Sequence, residues 1–308
     1  MKRITTRKLP SGETKNVQPF HISMKGLKKA ILCRDDEDYG VMVKYIAVCA
    51  HRKNVIIIIY GVVSNHCHVA VLAATFQEAC SFADELKRCY SQWIQIKYRE
   101  KHLLRDTDVQ ALYLDNDWYV RNALAYIPRN ALDNGCPVDQ YRWSGYRAMF
   151  RDTNRPPKGL PVCQFTRREQ DRIMHTREPL KDVSWLIDPD GDLIPESFCD
   201  VGYLEQVFNH DQAFWLKTIG ALNAAEMEEK LVNAPRRMLR DTEFWKEVAD
   251  IAQRWFSQDL STLTQEKKKR LLPYIWHTHK TSVNQLSRVF GMEREEVSHV
   301  IKARRIEQ

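Results

Sequence analysis

Several kinds of segment are missing from this 308-residue chain. The longest apolar run is nine residues, 55–63, against the ~20 that a membrane-spanning helix needs. The start carries no secretory apolar region. The eight cysteines, at 33, 49, 67, 80, 89, 136, 163 and 199, show no C-x-x-C spacing. These absences argue against a membrane span, a disulfide framework and a cysteine zinc knuckle, and they lead us to expect reduced thiols in a cytoplasmic protein. No internal repeat is visible.

What is present is ordinary globular composition, 44% hydrophobic and 28% charged, with length for two or three domains. The net charge of +7 is unevenly spread. Residues 1–150 hold 22 basic against 15 acidic residues, residues 265–308 hold 10 against 5, and the stretch between is acidic by five. Two basic modules therefore flank an acidic middle, as a polyanion-binding protein would have, although modest positive charge alone is common.

Residues 1–16, with Lys2, Arg3, Arg7, Lys8 and Lys15, have no apolar period and are expected to form a flexible basic arm. Phe20 to Ser23 reads as a short strand. Residues 35–52 carry helical spacing behind an acidic start at Asp35–Asp38. The β-branched run 55–63 is a buried strand, followed by a strand with His66, His68 and Val71. Thr75 and Glu78 form a capping box for a helix to about residue 101. Residues 105–115 read as a loop. A helix over 118–132, capped by Asn116 or Asp117, contains Pro128, which should kink or break it. This order gives an α+β domain, an antiparallel sheet with helices on one side.

A linker follows at 155–159. Residues 186–194 read as a hairpin with Asp190-Gly191 in the turn. Its Asp188, Asp190 and Asp192 do not complete an EF-hand. Residues 198–262 look helical, with Phe214, Trp215, Phe244, Trp245, Trp255 and Phe256 assigned to a core.

His66 and His68 are the chemically informative pair. In a strand, residues i and i+2 share a face, so the two imidazoles project side by side while Cys67 points away. Two histidines in a strand can also be mere packing. Tyr126 and Asn130, at i and i+4, share one face of the 118–132 helix. Two imidazoles and an amide oxygen leave open positions on an octahedral ion of the Mg or Mn type. Such an ion can polarise a scissile phosphate while the Tyr126 phenol attacks it.

Four ordered segments resemble the HUH single-tyrosine transposases, especially the REP-associated tyrosine transposases. Phe20-His21-Ile22-Ser23 resembles the opening strand. Ser64-Asn65-His66-Cys67-His68-Val69 resembles the histidine-hydrophobe-histidine signature. Tyr126-Ile127-Pro128-Arg129-Asn130-Ala131 resembles the catalytic tyrosine segment. Tyr141-Arg142-Trp143-Ser144-Gly145-Tyr146 resembles the closing tryptophan block. Ala131 stands where a proline is usual, Gly145 where a serine is usual, and Cys67 is small for its place. The resemblance covers residues 17–150. It implies a ferredoxin-like HUH domain, His66, His68 and Asn130 as ligands of Mg²⁺ or Mn²⁺, and Tyr126 as the nucleophile that forms a 5′-phosphotyrosine on single-stranded DNA beside a hairpin. It also implies a bacterial, nucleoid-associated enzyme, with a homodimer as one option. Tyr90, Tyr98 and His21 are expected to be structural.

Residues 283–302 independently fit a helix-turn-helix template. Gly291 occupies the turn, Leu286, Phe290, Met292, Val297 and Val300 pack the pair, and Ser287 is the small residue at the contact. Arg294, Ser298, His299, Lys302 and Arg305 become candidate DNA contacts, beside Lys2, Arg3, Arg7 and Lys8 of the arm. The expected organisation is a basic arm (1–16), a catalytic domain (17–150), a mostly helical middle (160–262) and an all-α DNA-binding module (265–308). The expected function is DNA cleavage and strand transfer. The rivals are a DNA-binding regulator with a silent HUH domain and a rolling-circle initiator or relaxase.

Overall fold

The computed structural model describes residues 4–25, 31–100, 104, 109–133, 136–152, 156–221, 241–279 and 281–303. The chain divides into two compact units, residues 1–233 and 234–308. No helix among the described residues is long and apolar enough to cross a membrane.

The first unit opens with β1 (Thr5–Lys8), β2 (Thr14–Lys25), α1 (Asp36–Arg52), β3 (Ile56–Val63), β4 (His66–Ala73), α2 (Phe76–Tyr98) and β5 (Val109–Tyr113). From β2 onward this is the β-α-β-β-α-β succession of a split βαβ unit. The sheet runs β5-β2-β4-β3 with every neighbouring pair antiparallel. The caps act as the residue types require. The Asp35 side chain accepts from the Asp38 amide at the start of α1, and Thr75 and Glu78 complete the capping box of α2.

Alternation along the strands gives the sheet two apolar faces. Phe20, Ile22, Met24, Cys67, Val69 and Val71 join α1 and α2 in one core. Ala70, Leu72, Ile58 and Ile59 join α3 (Asp117–Asp133) in a second core on the opposite face. The sheet is thus covered on both sides, each fully buried aliphatic side chain contributing about 1.5–3 kcal/mol. Helices on one side alone, as expected, would have left the face bearing His66 and His68 open.

Several sequence expectations need correction. Residues 5–17 are not a free arm: β1 pairs antiparallel with the start of β2, from Thr5↔Val17 to Lys8↔Thr14. The supposed loop 105–115 contains β5, which pairs with β2 from Phe20↔Tyr113 to Met24↔Val109. Its register with an already specified strand, and not its own short pattern, makes it a strand. Helix α3 runs unbroken through Pro128. The region 160–221 is only partly helical. It holds β6 (Leu160–Pro161), β7 (Leu186–Ile187) and the short helices α4 (Arg167–Met174), α5 (Val201–Val207) and α6 (Gln212–Ala221). It also belongs to the first unit: Arg7 bonds Asp200 at 2.7 Å, Arg52 bonds Glu178 at 2.9 Å, and Trp215 is buried against Tyr146 and Phe150. The turn at Asp190-Gly191 is as expected, with Asp188 Oδ1 accepting from the amides of Asp190 and Asp192.

The second unit contains α7 (Asp241–Phe256), α8 (Gln265–Thr278), α9 (Val283–Phe290) and α10 (Arg294–Ala303). Its core joins Phe244 and Val248 of α7 to Leu271 and Ile275 of α8 and to Leu286, Phe290, Met292 and Val297. The compact module therefore includes α7, upstream of residue 265, because α7 supplies part of the apolar face that α9 needs. Trp245 and Trp255, expected in a core, are 46% and 48% exposed.

Candidate active site

The residues singled out by sequence come from three elements of the first unit. In the register of β4 with β3, Gly61 lies opposite His68 and Val63 opposite His66. Both imidazoles leave the sheet on the face covered by α3, and their ring centroids are 4.9 Å apart. Cys67 lies in the core on the other face, where burial pushes its thiol up to about 12. It is a packing residue, as the strand period required.

Gly61 permits the close approach of α3. A Cβ at this position would lie 2.7 Å from the Ile127 carbonyl oxygen. The helix backbone next to Tyr126 therefore rests directly on the strand opposite His68. The Tyr126 ring stands 5.1 Å from the His68 ring at 72°, and is only 3% exposed.

One turn on, the Asn130 Nδ2 donates to the carbonyl oxygens of Tyr126 at 2.9 Å and Ile127 at 3.3 Å. Carbonyls only accept, so these bonds fix which end of the amide faces the helix. The Oδ1 end faces out and lies 3.1 Å from His66 Nε2. On the other side of that ring, His66 Nδ1 is 2.7 Å from Asn65 Oδ1. A proton on Nδ1 would satisfy Asn65 Oδ1 and leave Nε2 to face Asn130.

The same arrangement serves two chemistries. With a proton on His66 Nε2 it is a hydrogen bond of ordinary length. With a divalent ion present, the same two atoms could both turn to it. The described residues hold no group of three or more His, Cys, Asp or Glu side chains placed for a metal. Asn130 Oδ1 is the oxygen that lies beside His66 Nε2 here.

His21, expected to be structural, lies beside the candidate ligands. It lies on β2, pairs in register with Ala70, and is 3% exposed, as is His68. Its Nε2 is 3.0 Å from His68 Nδ1. A signal was available: His21 and Ser23 are the polar alternates to Phe20, Ile22 and Met24, and so had to face the same side of the sheet as His66 and His68. The closing block, residues 141–146, covers the β3 edge. Val62 N donates to Trp143 O at 3.0 Å, Tyr141 Oη to Val62 O at 2.6 Å, and Ser144 Oγ to Tyr60 O at 3.3 Å. Tyr90 is structural as expected, fully buried with its hydroxyl on the Leu32 carbonyl at 2.8 Å.

The expected DNA contacts divide. Lys2, Arg3 and Arg305 lie outside the described residues, as does the side chain of Lys302. Arg7 is half-buried and engaged by Asp200, so it is a packing and pairing residue. Lys8 is exposed on the hairpin. On α10, Arg294 and His299 are exposed and Ser298 is half-buried. Gly291 takes the left-handed conformation, φ 59°, and Ser287 Oγ donates to Met292 O at 2.6 Å. These features make α9 and α10 a tight helical pair. Two lysines of α8 serve the unit itself: Lys268 Nζ donates to the Phe290 carbonyl at 2.8 Å, and Lys269 pairs with Glu296 at 3.0 Å.

No protein-family model and no curated protein matches the sequence. A solved structure of a REP-associated tyrosine transposase bound to a REP hairpin is similar over 42% of this chain and 76% of its own, at 14% identity and a TM-score of 0.34.

Proposed function

We propose that this protein is a metal-dependent single-stranded DNA endonuclease and strand transferase that works through a phosphotyrosine intermediate beside DNA hairpins. The observation that carries this reading is the convergence of His66, His68, Asn130 and Tyr126 between β4 and α3, with His66 Nε2 and Asn130 Oδ1 3.1 Å apart and the Tyr126 ring 5.1 Å from His68.

When bound, a divalent ion would neutralise charge on the scissile phosphate and hold it in place. The chain supplies the remaining parts. His66, His68 and Asn130 would hold the ion on a sheet and a helix that pack directly on one another. Tyr126 supplies the nucleophilic oxygen. A phenol is mostly protonated at neutral pH, so its proton must leave to solvent as the oxygen attacks phosphorus. The bond to the 3′ oxygen breaks, that oxygen takes a proton, and the 5′ phosphate stays on Tyr126. Reversal with another 3′ hydroxyl rejoins DNA. The exposed Arg294 and His299 of α10 and Lys8 of β1 are proposed phosphate or groove contacts.

The test is incubation of labelled hairpin DNAs with protein and Mn²⁺, followed by a denaturing protein gel. Wild type should form an adduct that Tyr126→Phe and chelator both abolish. One observation favours the alternative of a DNA-binding regulator: Tyr126 is 3% exposed, as a tyrosine retained for packing would be. Hairpin binding with no adduct at any metal concentration would establish the regulator instead.

A further inference from the structure

We infer that His21 is a positioning residue that selects the metal-binding tautomer of His68. This inference rests on the metal-dependent reading above.

A neutral imidazole carries one N–H and one lone pair. His21 Nε2 and His68 Nδ1 are 3.0 Å apart, so a single proton lies between them. If His21 supplies it, the hydrogen of His68 sits on Nε2 and no lone pair is left there for a metal. If His68 supplies it, Nδ1–H donates to His21, and His68 Nε2 carries the free pair. Only the second arrangement makes His68 a ligand through Nε2. His21 is then the acceptor that stabilises it, the outer-shell role that orients ligating histidines.

Two further features agree with this role. The rings of His21 and His68 lie 5.0 Å apart and nearly parallel, at 14°, so His21 fixes the plane of His68 as well as its proton. His66 has a counterpart device, with Asn65 Oδ1 2.7 Å from its Nδ1. Each expected ligand is thus held at Nδ1 by a partner from outside the coordination set: Asn65 for His66 and His21 for His68. The Tyr126 ring meets His21 edge to face at 6.5 Å and 83°, so His21 also lies against the nucleophile's ring.

The test is Mn²⁺ binding to the full chain, read from the loss of the free-ion electron paramagnetic resonance signal, with His68→Ala as the lost-ligand reference. His21→Leu should weaken Mn²⁺ binding by about 10–100-fold, the usual cost of losing an outer-shell partner. His21→Gln, whose carbonyl oxygen can accept from His68 Nδ1–H, should recover most of that loss. Thermal melts would check that both variants fold. If His21→Leu is unfolded, His21→Gln carries the test and must bind within about threefold of wild type, which is less than an outer-shell loss. A folded His21→Leu that binds Mn²⁺ like wild type overturns the role of His21. So does a glutamine variant as weak as leucine, since that would mark a packing effect. A wild type that neither binds Mn²⁺ nor forms a Tyr126 adduct is a different result: it removes the metal-dependent function, and this inference with it.

Discussion

The two units keep their chemically informative residues in opposite places. In the first, His68, Asn130 and Tyr126 are all under 5% exposed, held between a sheet and a helix that touch at Gly61 and Ile127. In the second, the apolar residues of α9 and α10 are inside, and the candidate contacts Arg294 and His299 are outside. A reacting centre needs side chains placed to within fractions of an ångström, and packing from both sides supplies that. A phosphate-binding surface needs charge in reach of a large polyanion, and mobility costs it little. On the proposed function, disturbing the first unit should disturb chemistry, and disturbing the second should disturb affinity.

The largest expected effect is on chemistry alone. His68→Ala should reduce adduct formation by more than the about 100-fold typical of an outer-shell loss, while hairpin binding measured by gel shift persists. Loss of both together would mean that the two units are not separable in function.

Next comes the fold of the second unit. Phe290 is 1% exposed in its core, and Phe290→Ala should cost about 3–5 kcal/mol. Amide exchange read by mass spectrometry should rise in peptides of α7 to α10, with little change in β4 and α3. Uniform loss of protection would contradict two independent cores.

Gly61→Ala is the corresponding strike on the first unit. The new methyl would sit 2.7 Å from a backbone oxygen of α3, and overpacking of this kind costs about 1–3 kcal/mol. Adduct yield should fall further than stability alone explains, because Tyr126 and Asn130 move with the helix. An unchanged yield would show that the contact does not set the geometry of the site.

Acid should separate the units more gently. The Arg88 guanidinium, together with Arg52, holds the mostly buried Glu85 carboxyl at about 2, against the ordinary 4.5. A depressed carboxylate stabilises the fold fully above its unfolded pKa, so this contribution is intact at neutral pH. It declines as pH falls from about 4.5 toward about 2. Glu85→Gln should flatten that decline in α1 and α2 peptides. Asp241, paired with Arg288 in the second unit at 2.6 Å, is about half exposed, and Asp241→Asn should alter stability there by less.

The smallest effect on stability belongs to Arg294→Ala, within about 0.5 kcal/mol as for other surface changes. If Arg294 meets a phosphate, hairpin affinity should fall and the salt dependence should drop by about one ion. An unchanged salt slope would remove Arg294 from the interface.

Most of the secondary structure was legible because its signals are local. Asp35 and Thr75 cap their helices as their side chains allow, and the period of β4 separates Cys67 from the two histidines. The misses were non-local. β5 was hidden because five residues with no strong alternation become a strand only by pairing with β2. The arm became a hairpin because Thr5–Lys8 meets the extended start of β2. Trp255 was assigned to a core on residue type, although an amphipathic helix can leave large aromatics outside.

The sequence by itself determined the alternation that puts His66 and His68 on one face and the helical spacing that puts Tyr126 and Asn130 on another. Both follow from backbone periods that need no partner. Only the tertiary structure decided that those two faces meet. Gly61 lets α3 approach, Asn130 turns its oxygen toward His66, and His21 arrives from β2 against His68. Contacts between segments far apart in the chain depend on register and packing, and neither is written in any one segment.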